Sequence, residues 1–398
     1  MNTVQRLNSD NHSFLAPRSG YFNLLQIAGA LSIVAFHIAT PYSQAGWIVV
    51  ELFFVMAGIN MFGACEREDS LAAYAWSRVR RLCPELCAVW GIAVLFVIFG
   101  AGTAGMLWFI GTGPLFLQNL TVPLFQYTLP ADALFTPLWF VAALLQLQVL
   151  LFATRRWWLG ARPAAVLIVF ACLGLASRLV FAWILGDSPR TLPDPRADAL
   201  YCLPLSHVEG IVLGLMMGRG ALPWIGRLLP VFGGLVLVLG AANVWLADGQ
   251  VSPRSLGFEF PLRFNYSHVW GYSILALAAA SLCAKNGPLA VAVERTKRPL
   301  WLDLTLARLA SLSYGVYVSH GIIMATGVNG SAWLVQVHAP FLRLLLFVIT
   351  ILESFLVAWA VAWFLEVALP TAFRAGLRAA RRWRPASIGE MPGEETTG

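Results

Sequence analysis

The chain alternates between long apolar blocks and short polar hinges. Neither the two-residue period of strands nor a narrow amphipathic stripe organises it. The apolar blocks lie near residues 21–40, 46–63, 84–102, 134–153, 163–185, 201–218, 221–246, 267–284, 307–328 and 341–369. Most approach the roughly 20 residues that cross a hydrocarbon core as a helix. Backbone polar groups cannot go unpaired in lipid, so helices are the only form such blocks can take. The alternating pattern of a membrane barrel is absent. The reading is therefore all-α, a polytopic transmembrane helix bundle of about ten spans. A further apolar stretch, 103–118, reads as a re-entrant or interfacial piece. Residues 1–20 form a polar N-terminus, 21–370 the bundle, and 371–398 a basic segment followed by a tail whose Gly, Pro, Glu and Thr content predicts disorder.

Composition supports this picture. Hydrophobic residues make up 59% of the chain and charged residues only 12%. Soluble domains carry about a quarter charged residues, so too little polar surface exists to coat a water-soluble particle of this size. The net charge of +7 would suggest nucleic acid in a soluble protein. Here the basic residues follow the hinges. Segments 1–20, 64–83, 154–162, 219–227, 285–308 and 374–384 hold 21 of the 27 Lys and Arg, whereas 103–133 holds none. By the positive-inside rule this places both termini in the cytoplasm and excludes nucleic acid as a partner. The six cysteines are scattered without zinc-ligand spacing, so neither a metal site nor a disulfide framework is expected. No cleavable signal peptide is read at the polar N-terminus.

Ionisable side chains inside apolar spans are costly and mark candidate sites. They are His37, Glu51, Arg178, His207, Glu209, His320, Glu353 and Glu366. His37 lies deep in the first span, where a neutral imidazole can take a proton from a hydroxyl. Gln26 lies eleven residues earlier, on the same helix face and about 16 Å away along the axis. Glu51 is placed either to orient a histidine or to pair with Arg178. Arg78, Arg80 and Arg81 put three guanidiniums at the cytoplasmic surface, just before Pro84, which reads as a helix start. Guanidinium forks suit phosphate groups, and anionic lipid is the competing ligand. Ser313, Tyr317 and His320 fall at i, i+4, i+7 and form one polar stripe on the ninth span.

Taken together these segments resemble the acyltransferase 3 family of polytopic inner-membrane enzymes. The resemblance rests on Phe22-Asn23 through His37, on Glu51 to Gly58 (an acidic residue, then Leu-Phe-Phe and a closing Ala-Gly), on Arg78, Arg81 and Pro84, and on Ser313, Tyr314, Tyr317 and His320. Leu138-Trp139-Phe140 is similar to a mid-chain element of the family. The likeness covers roughly residues 20–370.

The resemblance implies O-acyl transfer from acyl-CoA, with acetyl-CoA the expected donor, to a hydroxyl of a glycan or lipid-linked saccharide, in a bacterial inner membrane. His37 would be catalytic, with Glu51, His320 and Tyr317 beside it, and His320 or Tyr317 donating to the developing oxyanion. Arg78, Arg80 and Arg81, with Gln26 and Ser313, would hold the donor, and Lys297 and Arg298 would add charge. Gln26 stands where the family carries a basic residue, and Asn23 where Asp is common, so a charge pair is dropped as a unit. Two other classes remain open. A transporter or flippase would move substrate without consuming acyl-CoA. An inactive relative would gain activity on Gln26→Arg.

Overall fold

The computed structural model describes residues 19–37, 46–68, 70–99, 110–120, 138–185, 195–246, 256, 258, 266–326, 340–364, 367 and 371. The expected tail, 371–398, falls almost wholly outside them, as does Glu366. Among the described residues there is no strand. The helices are α1 (Gly20–His37), α2 (Val49–Arg67), α3 (Leu71–Ile98), α4 (Trp139–Ala153), α5 (Arg155–Gly160), α6 (Pro163–Leu185), α7 (Pro195–Cys202), α8 (Val208–Gly218), α9 (Leu229–Leu246), α10 (Ser267–Cys283), α11 (Pro288–Arg295), α12 (Leu300–Thr326) and α13 (Pro340–Trp363).

Among the described residues six helices are long and apolar enough to cross a membrane, fewer than the ten blocks read from the sequence. The four blocks not counted fall on α3, α4, α8 and α12. α4 has 15 residues and α8 only 11, the latter about 16 Å long. α8 follows a 3₁₀ turn at Pro204–His207 that breaks the expected 201–218 block. α3 and α12 carry charge in their first halves.

Pro84 corrects a second expectation. It lies inside α3, not at its start, so the three arginines ride on a continuous helix. A proline here removes the N–H that would serve the Arg80 carbonyl. Nearby, the Tyr314 hydroxyl of α12 donates to the Leu82 carbonyl at 3.1 Å.

α2 and α8 pack closely, and glycine makes the closeness possible. A Cβ at Gly58 would sit 2.0 Å from the Ile211 carbonyl oxygen, and one at Gly214 would sit 2.0 Å from that of Val55. Gly210 lies against Glu51 and Phe54, and Gly218 against Ile59 and Phe62. Small residues at four-residue spacing are the usual means of close packing in membranes. The paired numbers rise together, so α2 and α8 run parallel. By the same reasoning α1 runs antiparallel to α2, because Gly29 faces Val49 and Phe53 while Gly46 faces Ser32 and Phe36.

α1 and α12 are parallel neighbours. Ala30 and Val34 pack with Leu312 and Val316, and His37 reaches His320. The opposite end of α1 is pinned by sequence-distant groups. The Tyr21 amide donates to Glu294 of α11 at 2.9 Å, and its hydroxyl to the Leu282 carbonyl of α10 at 2.6 Å. The described part of the 103–118 stretch consists of short helical turns, among them a 3₁₀ turn at Gly113–Leu115, and has polar partners. Gln146 of α4 exchanges hydrogen bonds with Asn119 and donates to the Phe116 carbonyl, and Trp90 of α3 donates to that of Ile110.

Candidate functional site

On α1, Gln26, Ala30, Val34 and His37 share one face, the face turned to α12. His37 lies 17 residues from the start of α1, about 25 Å along the axis. There its ring meets that of His320 with centroids 5.1 Å apart and planes inclined at 42°. His37 is half-buried at the end of its helix; His320 is fully buried. Tyr317 completes the group, with ring centroids 5.9 Å from His320, 5.3 Å from Phe140 and 6.3 Å from Phe53.

The two nitrogens of His320 are not equivalent. Nδ1 lies 2.6 Å from the Tyr317 carbonyl oxygen. A carbonyl can only accept, so Nδ1 carries the proton. In the neutral ring Nε2 then holds a lone pair. That atom is buried with no hydrogen-bond partner among the described residues. The neutral ring therefore offers an acceptor, which argues against the expected oxyanion-donor role. Ser313 shares the stripe, but its hydroxyl donates back to the Leu309 carbonyl at 3.2 Å.

Glu51 belongs to a neighbouring centre. Its Oε1 is 2.5 Å from Nδ1 of His207, whose Nε2–H donates to the Tyr201 carbonyl at 2.7 Å. Both ring nitrogens face oxygens, so a proton sits between Nδ1 and the carboxylate. Glu51 thus orients a histidine, but that histidine is His207, and the alternative pairing with Arg178 does not occur. Arg178 instead forks onto Glu209 at 2.9 and 2.6 Å and donates to the carbonyls of Val269 and Ser206 and to Ser273. The two centres are joined by rings. His207 stacks on Phe54 at 4.6 Å, Phe54 meets Phe140 at 4.9 Å, and Phe140 meets Tyr317.

The arginines expected to hold a donor differ in placement. Arg78 is half-buried, with its guanidinium 4.9 Å above the Tyr74 ring. Tyr74 stacks on Phe152 at 4.1 Å, and Arg155 covers the far side of Phe152 at 3.9 Å. Two cations thus bracket two stacked rings. Arg80 is exposed over Trp76, and Arg81 is exposed. Arg298 is committed to Asp303 at 2.9 Å and lies over Gly20. A second, open groove of about 540 Å³ is lined by Arg227, Asn286 and Arg295 over Pro288, Val291 and Ala292.

Tyr74, Arg155 and Glu85 escaped sequence reasoning. Glu85, directly after Pro84, lines a cavity of about 180 Å³ between α3, α12 and α13 together with Ser319. Tyr74 was detectable, since it precedes Arg78 by four residues and so lies on its face. Arg155 was not, because only the tertiary packing of α4 on α3 brings it near. No group of three His, Cys, Asp or Glu placed to hold a metal occurs among the described residues.

A helical membrane bundle with paired imidazoles near one end of its helices and arginines near the other defines a polytopic membrane protein with a polar interior. The chain belongs to the acyltransferase 3 family: that family's model, described as an acyltransferase domain, matches residues 19–363. It is a membrane acyltransferase. No curated protein and no solved structure matches it.

Proposed function

We propose that the protein moves an acyl group from acyl-CoA, entering from the cytoplasm, to a hydroxyl of a glycan or lipid-linked saccharide in a bacterial inner membrane. The observation carrying this reading is the imidazole pair within a bundle that bears arginines some turns away. α3 and α12 are aligned by Tyr314–Leu82, so Arg78 and His320 differ by ten residues, about 15 Å, along parallel helices. An extended thioester arm bridges that distance.

Arg78 and Arg155 hold the donor phosphates, with Arg80 and Arg81 adding long-range attraction. His37, half-buried, takes the proton from the acceptor hydroxyl. The oxygen attacks the thioester carbonyl carbon, the carbon–sulfur bond breaks, and the proton passes to the departing thiolate. Acyl-CoA is the donor, and acetyl-CoA is the first to try.

The test is His37→Ala in correctly inserted protein, with thiol release followed in purified enzyme and mass spectrometry of surface glycans done on cells that carry the variant. The expected loss is about 100- to 10,000-fold, the usual worth of a positioned proton acceptor. Undiminished transfer would remove His37 from the chemistry. Substrate movement without thiol release would favour a transporter.

A further inference from the structure

We infer that His320 is a positioning residue that fixes the tautomer of His37, an uncharged counterpart of the carboxylate that orients a catalytic histidine elsewhere. The inference rests on His37 being the proton acceptor of the proposed reaction, and it assigns a role to a nitrogen that mechanism leaves unused.

The argument starts from one buried atom. Nδ1–H of His320 is committed to the Tyr317 carbonyl at 2.6 Å, an acceptor three residues back on its own helix. This bond fixes the ring's orientation and leaves Nε2 with its lone pair. A buried acceptor without a donor is costly, by about 1–3 kcal/mol. Nε2 is such an acceptor among the described residues, in a residue with no exposed surface. Across the α1–α12 seam stands the His37 ring, its centroid 5.1 Å away. Neutral imidazole carries one N–H and one lone pair. If its N–H turns to Nε2 of His320, its lone pair must point the other way, and only there can it meet an acceptor hydroxyl. Forming the bond requires the His37 ring to turn toward Nε2 across the 5.1 Å between the ring centroids.

Tyr317 is the other ring in contact with His320 that has a donor, but it lies on the same helix and packs toward Phe53 and Phe140. His37 is the partner whose own chemistry changes when the bond forms. A base with the wrong tautomer presents N–H where a lone pair is needed and cannot accept the proton. Loss of an orienting partner costs an active site about 10- to 100-fold or more.

Two amide substitutions separate this role from a structural one. In His320→Asn the side-chain amide reaches the Nδ1 position and can still donate to the Tyr317 carbonyl, while nothing replaces Nε2. In His320→Gln the amide oxygen reaches the Nε2 position and can still accept. The expected result is a fall in kcat of about 100-fold for His320→Asn, with KM for donor and acceptor unchanged. His320→Gln should stay within about tenfold of wild type. Asparagine as active as histidine, or more active than glutamine, overturns the inference and leaves His37 as the base. Wild-type protein without acyl-CoA turnover overturns the proposed function itself.

A measurement that needs no variant stands beside these. Nitrogen-15 spectra of labelled histidine in detergent-solubilised wild-type protein should show His320 as the Nδ1–H tautomer, with His37 N–H bonded to a nitrogen acceptor. His320 observed as the Nε2–H tautomer rejects the inference, whatever the variants do.

Discussion

At the residue scale, the polar interior holds an imidazole pair, the Glu51–His207 pair and the Arg178–Glu209 fork. Arg178 is fully buried and meets its donors' needs with a bidentate carboxylate, two carbonyls and a hydroxyl. Breaking such a pair by removing one side leaves a buried charge uncompensated, at about 3–5 kcal/mol. Glu209→Gln should therefore lower the thermal unfolding temperature sharply and reduce the yield of folded protein. The double change Arg178→Met with Glu209→Leu should recover much of the loss. The identity of these residues was legible from the rule that charges in apolar spans are never idle, but their pairing was not. Glu51 had two histidine or arginine partners to choose from, and the choice is made by the 3₁₀ turn at Pro204–His207, a local break that no hydropathy pattern contains. His320 shows the same limit. Its place in the stripe could be read from spacing, whereas its tautomer depends on which carbonyl lies within reach.

At the element scale, glycine sets how close α2 and α8 come. Gly214→Ala puts a methyl 2.0 Å from the Val55 carbonyl oxygen, a backbone atom that cannot yield without separating the helices. This substitution should destabilise the protein and disturb the Glu51–His207 pair, which joins α2 to the 3₁₀ turn leading into α8. Gly233→Ala on α9, where an added Cβ meets nothing within 4 Å, serves as the control and should leave the unfolding temperature unchanged or raised. Most helices were legible as apolar blocks, because twenty residues of hydrocarbon thickness leave a plain trace. In the sequence Pro84 reads as a beginning, because the signal is the same for a first turn and for a tolerated interior proline. The tertiary neighbours of α3 decide between them, with Tyr314 of α12 packed against the same turn.

On the scale of the whole molecule, the arginine-bearing ends of α3 and α5 and the histidine-bearing ends of α1 and α12 lie at different levels of one bundle. If the donor's phosphates rest on the Arg78–Tyr74–Phe152–Arg155 stack, Arg78→Ala should weaken donor binding about 10- to 100-fold, the worth of a charge-assisted hydrogen bond. The effect should shrink as salt rises. Arg298→Ala should instead cost stability, since Arg298 is tied to Asp303 beside the start of α1. Titration calorimetry with a non-transferable donor analogue, alongside thermal unfolding, distinguishes these outcomes. The asymmetry of basic residues along the chain made the two levels legible as topology. Which arginine is half-buried and which merely faces outward came only from packing.

The docking of α1 has a consequence for biosynthesis. Tyr21 is satisfied by Glu294, 273 residues further along the chain. A ribosome adding about 5–20 residues per second needs roughly a quarter of a minute to a minute to supply that partner. α1 thus waits in the bilayer, its amide-bearing end without Glu294 until α11 has been made and its imidazole without His320 until α12 has followed. Premature termination before α11 would leave an orphan segment for quality-control proteases, and pulse-chase digestion should reveal a long protease-sensitive interval that closes only when translation passes the α10–α12 region.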